Sequence, residues 1–279
     1  MSYPISTGKW VVVSFGSHRK WHYALKRLAK QVRQFDLNLI FLPYGEKELK
    51  RIKEWSDIKG FITQYPKGYG LWIWKPLIIL DALDKNKDAL GVIYLDAGCE
   101  INVNDLSKLR FQEYLNQALK EQLLVFEMKL LEFHYTNHEV IKRIYPNTLE
   151  DHKQISAAVI FVKNSTKARK IIEVWQKLTT ENNKTNLIGN SFSVIPEKDR
   201  FKPAMISHRN DQSILSLVLR KFNVMPIPDE TYWAPDWNTK GKNYPIWVAR
   251  NHRYFSITFL PKAQSLIRRI KQISSNKVD

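Results

Sequence analysis

Gly91-Val-Ile-Tyr-Leu-Asp-Ala-Gly-Cys-Glu-Ile-Asn102 is the stretch from which the rest of the chain is read. Val92 to Leu95 form an unbroken apolar run, which predicts a strand buried on both faces, as inside a parallel sheet. Open α/β sheets collect ligands outside the carboxyl ends of such strands. Asp96 stands at that end. Ala97 and Gly98 leave room beside it, and Gly98 has no side chain to block an approaching group. Glu100 adds a second carboxylate. Carboxyl oxygens beside a small-residue gap suit a hard divalent cation carrying a phosphorylated ligand.

Working upstream, Trp10 to Phe15 reads as a first buried strand ending at Gly16, and His22 to Phe35 as a helix with Ala24, Leu25, Leu28, Ala29 and Val32 on one face. Leu37 to Leu42 reads as a strand and Glu46 to Ser56 as a charged helix. Gly60 to Tyr65 reads as a short strand. Leu71 to Leu83 reads as a helix, with Pro76 acceptable only near its start. This β-α-β-α-β-α-β order predicts a nucleotide-binding, doubly wound mixed α/β sheet with helices on both faces. Downstream, Leu123 to Met128 and Ile155 to Val162 read as strands, Thr166 to Leu178 and Asp211 to Phe222 as helices, and 182–202 as loop. Val224 to Ile227 and Trp247 to Arg250 are short strand candidates. No linker cuts the chain, so the expectation is one catalytic-sized domain over 1–260 and a tail over 261–279.

The chain has 279 residues, 44% hydrophobic, with 9 Trp, 12 Tyr and 13 Phe, enough to fill a core and exclude global disorder. No apolar run has the length of a membrane span, and the first residues lack a signal-peptide h-region. A cytoplasmic protein is expected. The lone Cys99 excludes an intramolecular disulfide and a cysteine zinc cluster and reads as a small buried filler. The net charge of +17 points to an anionic partner such as nucleic acid, a membrane surface or a phosphorylated substrate. In the tail, Leu266, Ile267, Ile270 and Ile273 have helical spacing, and Arg268, Arg269 and Lys271 fall largely elsewhere around the helix. Such a helix either rests on an anionic bilayer, peripheral on the inner face of the plasma membrane, or packs on the domain.

Three elements carry a family resemblance: Tyr69-Gly-Leu-Trp-Ile-Trp-Lys-Pro76, the Leu95-Asp-Ala-Gly-Cys-Glu100 run, and His208-Arg-Asn-Asp-Gln-Ser-Ile214. Together they resemble bacterial glycosyltransferases of the GT-A type, and more narrowly small enzymes of surface-polysaccharide (lipopolysaccharide O-antigen or capsule) biosynthesis. The resemblance covers about residues 9 to 255. It implies a nucleotide-sugar donor, a UDP-sugar foremost, and a glycan or lipid-linked glycan acceptor. It also implies Mn²⁺ or Mg²⁺ on an Asp-x-Asp motif. Asp96-Ala97-Gly98 departs from that motif, since Gly98 replaces the second acid, and Glu100 is the nearest substitute.

The same resemblance assigns residues. Ser14, Phe15 and Gly16 end the first strand, where the nucleoside is held, and Ser156-Ala157-Ala158 line the donor sugar. Asp211 and Gln212 lie near sugar and acceptor, and His252 brings a late imidazole to the metal. From the residues alone, Lys75 at a helix start beside Pro76 is either a diphosphate clamp or a solvated lysine. Trp72 and Trp74, with Tyr69 before them, are either ring-binding faces or core. Asp211 reads from the residues as the helix's first acid, and by the resemblance as a sugar-hydroxyl binder or a base. Glu127 is an acceptor-side carboxylate, a base or half of a salt bridge, and Asp151 is another possible base. His134 and His138 have the i,i+4 spacing of a helical metal pair without the intervening Glu of a zincin.

Departure of a nucleoside diphosphate adds negative charge, which a metal at Asp96 or fixed cations must stabilise. Two other readings stand beside the transferase: a basic nucleic-acid-binding module, disfavoured by an acid at the sheet edge and the lack of a recognised motif, and an inactive scaffold of the same fold.

Overall fold

The computed structural model describes residues 8–35, 37–146, 151–180, 187–189, 205–231, 239 and 241–256. In chain order these are β1 (Trp10–Phe15), α1 (Arg19–Gln34), β2 (Leu39–Tyr44), α2 (Glu46–Leu49), α3 (Trp55–Gln64), α4 (Gly68–Leu71), α5 (Lys75–Lys85), β3 (Gly91–Leu95), β4 (Glu100–Ile101) and α6 (Asp105–Glu121). The chain continues through β5 (Leu123–Leu124), β6 (Phe126–Leu131), α7 (Glu132–Tyr135), α8 (His138–Ile144), β7 (Lys153–Ile155), β8 (Val159–Lys163), α9 (Thr166–Thr180), α10 (Asp211–Lys221), β9 (Ile227–Pro228) and β10 (Ile246–Trp247).

The central sheet has the order β2-β1-β3-β8-β5. β1 pairs in parallel with β2 on one side and with β3 on the other, while β8 runs antiparallel to β3. The winding therefore reverses between β1 and β3, the switch point at which doubly wound sheets open a crevice for ligand. The alternation of side chains explains why these strands carry no polar face. Trp10, Val12, Ile93 and Leu95 pack with Leu28 and Val32 of α1 and Phe111 of α6. Val11, Val13, Val92 and Tyr94 pack on the opposite face with Leu77 of α5, Ile171 and Trp175 of α9 and Leu215 of α10. The mixed α/β sheet covered on both faces is as the sequence predicts.

Several boundaries differ. Gly60 to Tyr65 is not a strand: Ile58, Phe61 and Ile62 form the buried face of α3, a helical period that begins upstream of Gly60. The charged stretch 46–56 is one short helix, α2, and then the start of α3. Leu123 to Met128 and Ile155 to Val162 each divide, because their halves join different sheets: β5 and β8 the central one, β6 and β7 a second of order β7-β6-β9. β9 and β10 fall within a residue or three of their expected places. Most of the expected 182–202 loop and all of the tail 261–279, with its proposed bilayer helix, lie outside the described residues. No helix among the described residues is long and apolar enough to cross a membrane.

Candidate functional site

A cleft of about 1110 Å³ opens at the switch point. Its floor is the carboxyl end of β3. Asp96 N donates to Ala158 O at 2.8 Å and Cys99 N to Asp96 O at 2.8 Å, so the chain leaves the sheet in a tight turn over Asp96–Cys99. Tyr94, two residues earlier on the same face, donates its hydroxyl to Asp96 Oδ1 at 2.6 Å. Lys75 Nζ lies 3.1 Å from the same oxygen, 2.9 Å from Asp211 Oδ2 and 3.1 Å from Ala157 O. Three oxygens thus meet the three N–H groups of one ammonium. Burial alone would depress Lys75, but Asp211 and Asp96 outweigh it and hold the amine above its ordinary value. Burial pushes Asp211 up to about 6 against the pull of Lys75. Burial, then Asp96, hold Tyr94 well above the usual phenol range, so it remains a donor. Both contacts of Asp96 fall on Oδ1, and 35% of its side chain stays open.

One wall is aromatic. Phe15 stacks obliquely on Trp74, with ring centroids 4.1 Å apart, and on Tyr69 at 5.5 Å. Tyr69 and Trp72 are carried by a left-handed turn. Gly68, Tyr69, Gly70, Leu71 and Trp72 all have positive φ, from 51° to 86°. Each non-glycine there costs roughly 1–2 kcal/mol, and such strain is characteristic of functional sites. The turn is held by Trp74 Nε1 donating to Gly68 O at 3.0 Å and by Leu71 N donating to Lys67 O at 2.8 Å. Burial, then the neighbouring Glu46, push the Tyr69 hydroxyl up to about 12.

The rest of the rim is basic. Lys20, Lys67, Lys75, Arg209 and Arg250 line the cleft with Asp96, Asp211 and Asp229. The N-terminus of α1 also lies at the rim through Ser17, His18 and Lys20. No side chain caps that helix and its first turn has no acid, which leaves its positive end open to an anion.

The expected site residues fall into two groups. Phe15, Tyr69, Trp72, Trp74, Lys75, Asp96, Ala97, Gly98, Ser156, Ala158, His208, Asp211 and Gln212 all line this cleft. Ser14 does not: it is fully buried, its Oγ without a hydrogen-bond partner, because strand alternation turns it away from Phe15. Gly16 is buried behind Trp21. Glu127 lies off the cleft, 3.6 Å from Arg220. Glu100 is 0% exposed and accepts from Asn251 Nδ2 at 2.6 Å and from Ser256 Oγ. His252 is exposed, edge-on to Trp21, and is not a lining residue.

Lys75 and Asp211 are pinned to each other, so neither presents a free head group as clamp or base. Gln212 is tied by its Oε1, which accepts from Ala157 N at 3.3 Å, and by its Nε2, which donates to Gln154 Oε1 at 2.6 Å. His208 accepts from Asn137 N on Nδ1 and meets Leu187 O on Nε2; burial lowers it to about 4, so it is neutral. His134 and His138 fall in separate helices, α7 and α8, which ends the helical-pair reading. Cys99 is 0% exposed, as a filler would be.

These placements also test a metal. Asp96 offers one partly engaged carboxylate, Glu100 is spent inside, and His252 is elsewhere. Among the described residues no three His, Cys, Asp or Glu side chains group to hold an ion. Among the described residues, these side chains do not make up a site for the expected divalent cation.

The sequence reading missed Lys20, Trp21, Lys67, Asn137, Arg209 and Asp229. Lys20 and Trp21 were within reach, since they come directly after β1 at the switch point. Asp229 enters from β9 in the second sheet, with Oδ1 accepting from Thr231 N at 2.8 Å.

No family model and no curated protein matches this chain. Solved structures resemble it. One is a glycosyltransferase involved in the glycosylation of the major capsid of PBCV-1, at 12% identity and TM-score 0.47, covering 86% of this chain and 91% of that one. Another is mouse xyloside xylosyltransferase 1 in its apo form, at 9% identity and TM-score 0.46, covering 84% and 90%. A third is the apo WbbM bifunctional glycosyltransferase, at 10% identity and TM-score 0.46, covering 83% of this chain and 40% of that one. At such identities and TM-scores these are likenesses of outline, and the functional reading rests on the site's own residues.

Proposed function

We propose that this protein is a glycosyltransferase that takes a sugar from a nucleotide-sugar donor, foremost a UDP-sugar, and passes it to a glycan hydroxyl. The observation that carries the reading is the switch-point cleft. It joins a half-open carboxylate at the end of β3, an aromatic wall and a basic rim in one space. The aromatic faces of Phe15, Tyr69, Trp72 and Trp74 suit a nucleoside or a sugar ring. With the buried Lys75–Asp211 pair set aside, the lining carries Lys20, Lys67, Arg209 and Arg250 against Asp96 and Asp229, a balance that suits a diphosphate.

In this reading the bond from the anomeric carbon to the diphosphate oxygen breaks, and the nucleoside diphosphate leaves with the electron pair. The acceptor oxygen bonds to the sugar, and its proton passes to the departing diphosphate oxygen or to solvent. Asp96 accepts from a sugar hydroxyl with the edge that Tyr94 and Lys75 leave open. Lys75 and Asp211 act through Asp96 and are positioning residues. Asp229, which follows β9 of the second sheet, is the remaining cleft carboxylate and is assigned here to the acceptor. A surface-polysaccharide acceptor, lipid-linked and worked at the cytoplasmic face of the membrane, is the finer reading supported by the three motifs and the charge of +17.

The test is a thermal-shift panel of nucleotide sugars on the full chain, repeated with Asp96→Asn. A ligand at 100 times its Kd adds about 2.7 kcal/mol of stability. One nucleotide sugar is expected to raise the melting temperature of the wild type and to do so less in the variant. No response to any of them overturns the proposal.

A further inference from the structure

We infer that Arg250 takes the part of a divalent cation, so that the diphosphate is neutralised by a guanidinium and the transfer needs no metal. The inference rests on the donor reading above and goes beyond it to the means of charge stabilisation.

The first observation is steric. A Cβ on Gly98 would lie 2.9 Å from Arg250 Cα and 3.2 Å from its carbonyl carbon. Asn251 N donates to Gly98 O at 3.0 Å. The chain at Arg250 is therefore docked on the Asp96–Cys99 turn, and a side chain at 98 would have to displace that backbone.

The second is the effort spent on that docking. Arg27, 3% exposed, donates through one nitrogen to Ala97 O at 3.2 Å, Cys99 O at 2.9 Å and Asn251 O at 2.9 Å, and through another to Arg253 O. One buried guanidinium thus clasps both segments. Glu100 completes the clasp through Asn251 and Ser256. The one acid near enough in sequence to replace the missing ligand instead fastens the Arg250 segment.

The third is Arg250 itself. It lines the cleft and is exposed, and since its Cα is packed on Gly98, what it exposes is its side chain. Its φ is 52°, a conformation that L residues other than Asn and Asp seldom adopt and that glycine would fill without cost. A left-handed arginine on a cleft rim is strain kept for its side chain. A guanidinium meets phosphate with two parallel hydrogen bonds and keeps its charge at any working pH.

The test uses the full chain with UDP and inorganic pyrophosphate as probes, and GDP and ADP where UDP does not bind, titrated calorimetrically in EDTA and again with Mn²⁺. Arg250→Gly removes the charge and relieves the backbone; Arg250→Lys keeps the charge and loses the fork. The wild type is expected to bind both probes in EDTA, with Mn²⁺ changing UDP affinity by no more than about twofold. Arg250→Gly is expected to weaken both about tenfold to a hundredfold, the range for a charged hydrogen bond, with Arg250→Lys between. Binding by the wild type only with Mn²⁺ overturns the inference and leaves the donor reading standing. Unchanged binding in a folded Arg250→Gly also overturns it. No binding of UDP, GDP, ADP or pyrophosphate under either condition overturns the donor reading and the inference with it. If Arg250→Gly does not fold, the EDTA arm on the wild type and Arg250→Lys decide.

Discussion

Lys75 Nζ lies 2.9 Å from Asp211 Oδ2, and the two side chains are 4% and 5% exposed. Lys75 opens α5 and Asp211 opens α10, so this ion pair joins two helices beneath the cleft and presents Asp96 from below. Removing one partner of a buried pair leaves an uncompensated charge, at a cost of about 3–5 kcal/mol. Lys75→Met is therefore expected to destabilise the protein by several kcal/mol. Adding Asp211→Asn should restore part of the loss, because the double variant buries no charge at that contact. Urea unfolding of the two single variants and the double variant gives the coupling directly. Additive losses would mean that the pair contributes nothing beyond its separate contacts.

Asp211 also gives the protein a definite response to pH. Burial raises its carboxyl from 3.8 to about 6, with Lys75 pulling the other way. Between those values the folded chain holds a proton that the unfolded chain has released. The stability due to this group is complete below pH 3.8 and is lost as the pH rises through about 6. Asp211→Asn keeps the shape and abolishes the titration. The stability of the wild type relative to Asp211→Asn is expected to fall as the pH climbs across that window. Chemical unfolding of both proteins on either side of the window checks it, and a difference independent of pH would contradict the raised value.

The range of the forces involved decides how much could be read from the sequence. β1 and β3 were legible because strands buried on both faces leave continuous apolar runs; the strand-end rule then placed Asp96 on a ligand cleft, and the family resemblance placed Phe15 there. α3 was misread because the window began at Gly60 and cut its helical face off from Ile58. Ser156 to Ala158 hid a change of sheet, because small apolar residues look the same inside a strand and between two. The roles of Lys75 and Asp211 were open until the fold brought two helix starts, 136 positions apart in the chain, to one point. Glu100 looked like a ligand by proximity in sequence, but strand β4 turns it inward to Asn251. No local pattern announces that Arg250 will lie on Gly98, since that pairing is made by Arg27 from a third segment.

Gly98 offers the sharpest test of that crossing. In the GT-A family that the sequence resembles, a second acid would stand at 98, so Gly98→Asp restores the family pattern. The backbone of Arg250 is in the way, at 2.9 Å from the new Cβ, and backbone yields less readily than a flexible side chain. Overpacking of this kind costs typically about 1–3 kcal/mol. It would also strain the carbonyls of Ala97 and Asn251 that Arg27 clasps. Gly98→Asp is expected to lose stability in that range and to gain no affinity for Mn²⁺. Gly60→Ala is the control: it lies inside α3 with nothing within 4 Å of the new Cβ, and replacing a helical glycine should add about 0.5–1 kcal/mol. Melting curves of both variants, with and without Mn²⁺, check the pair. A Gly98→Asp protein as stable as the wild type, and further stabilised by the ion, would show that the site admits the metal that its present residues do not fit.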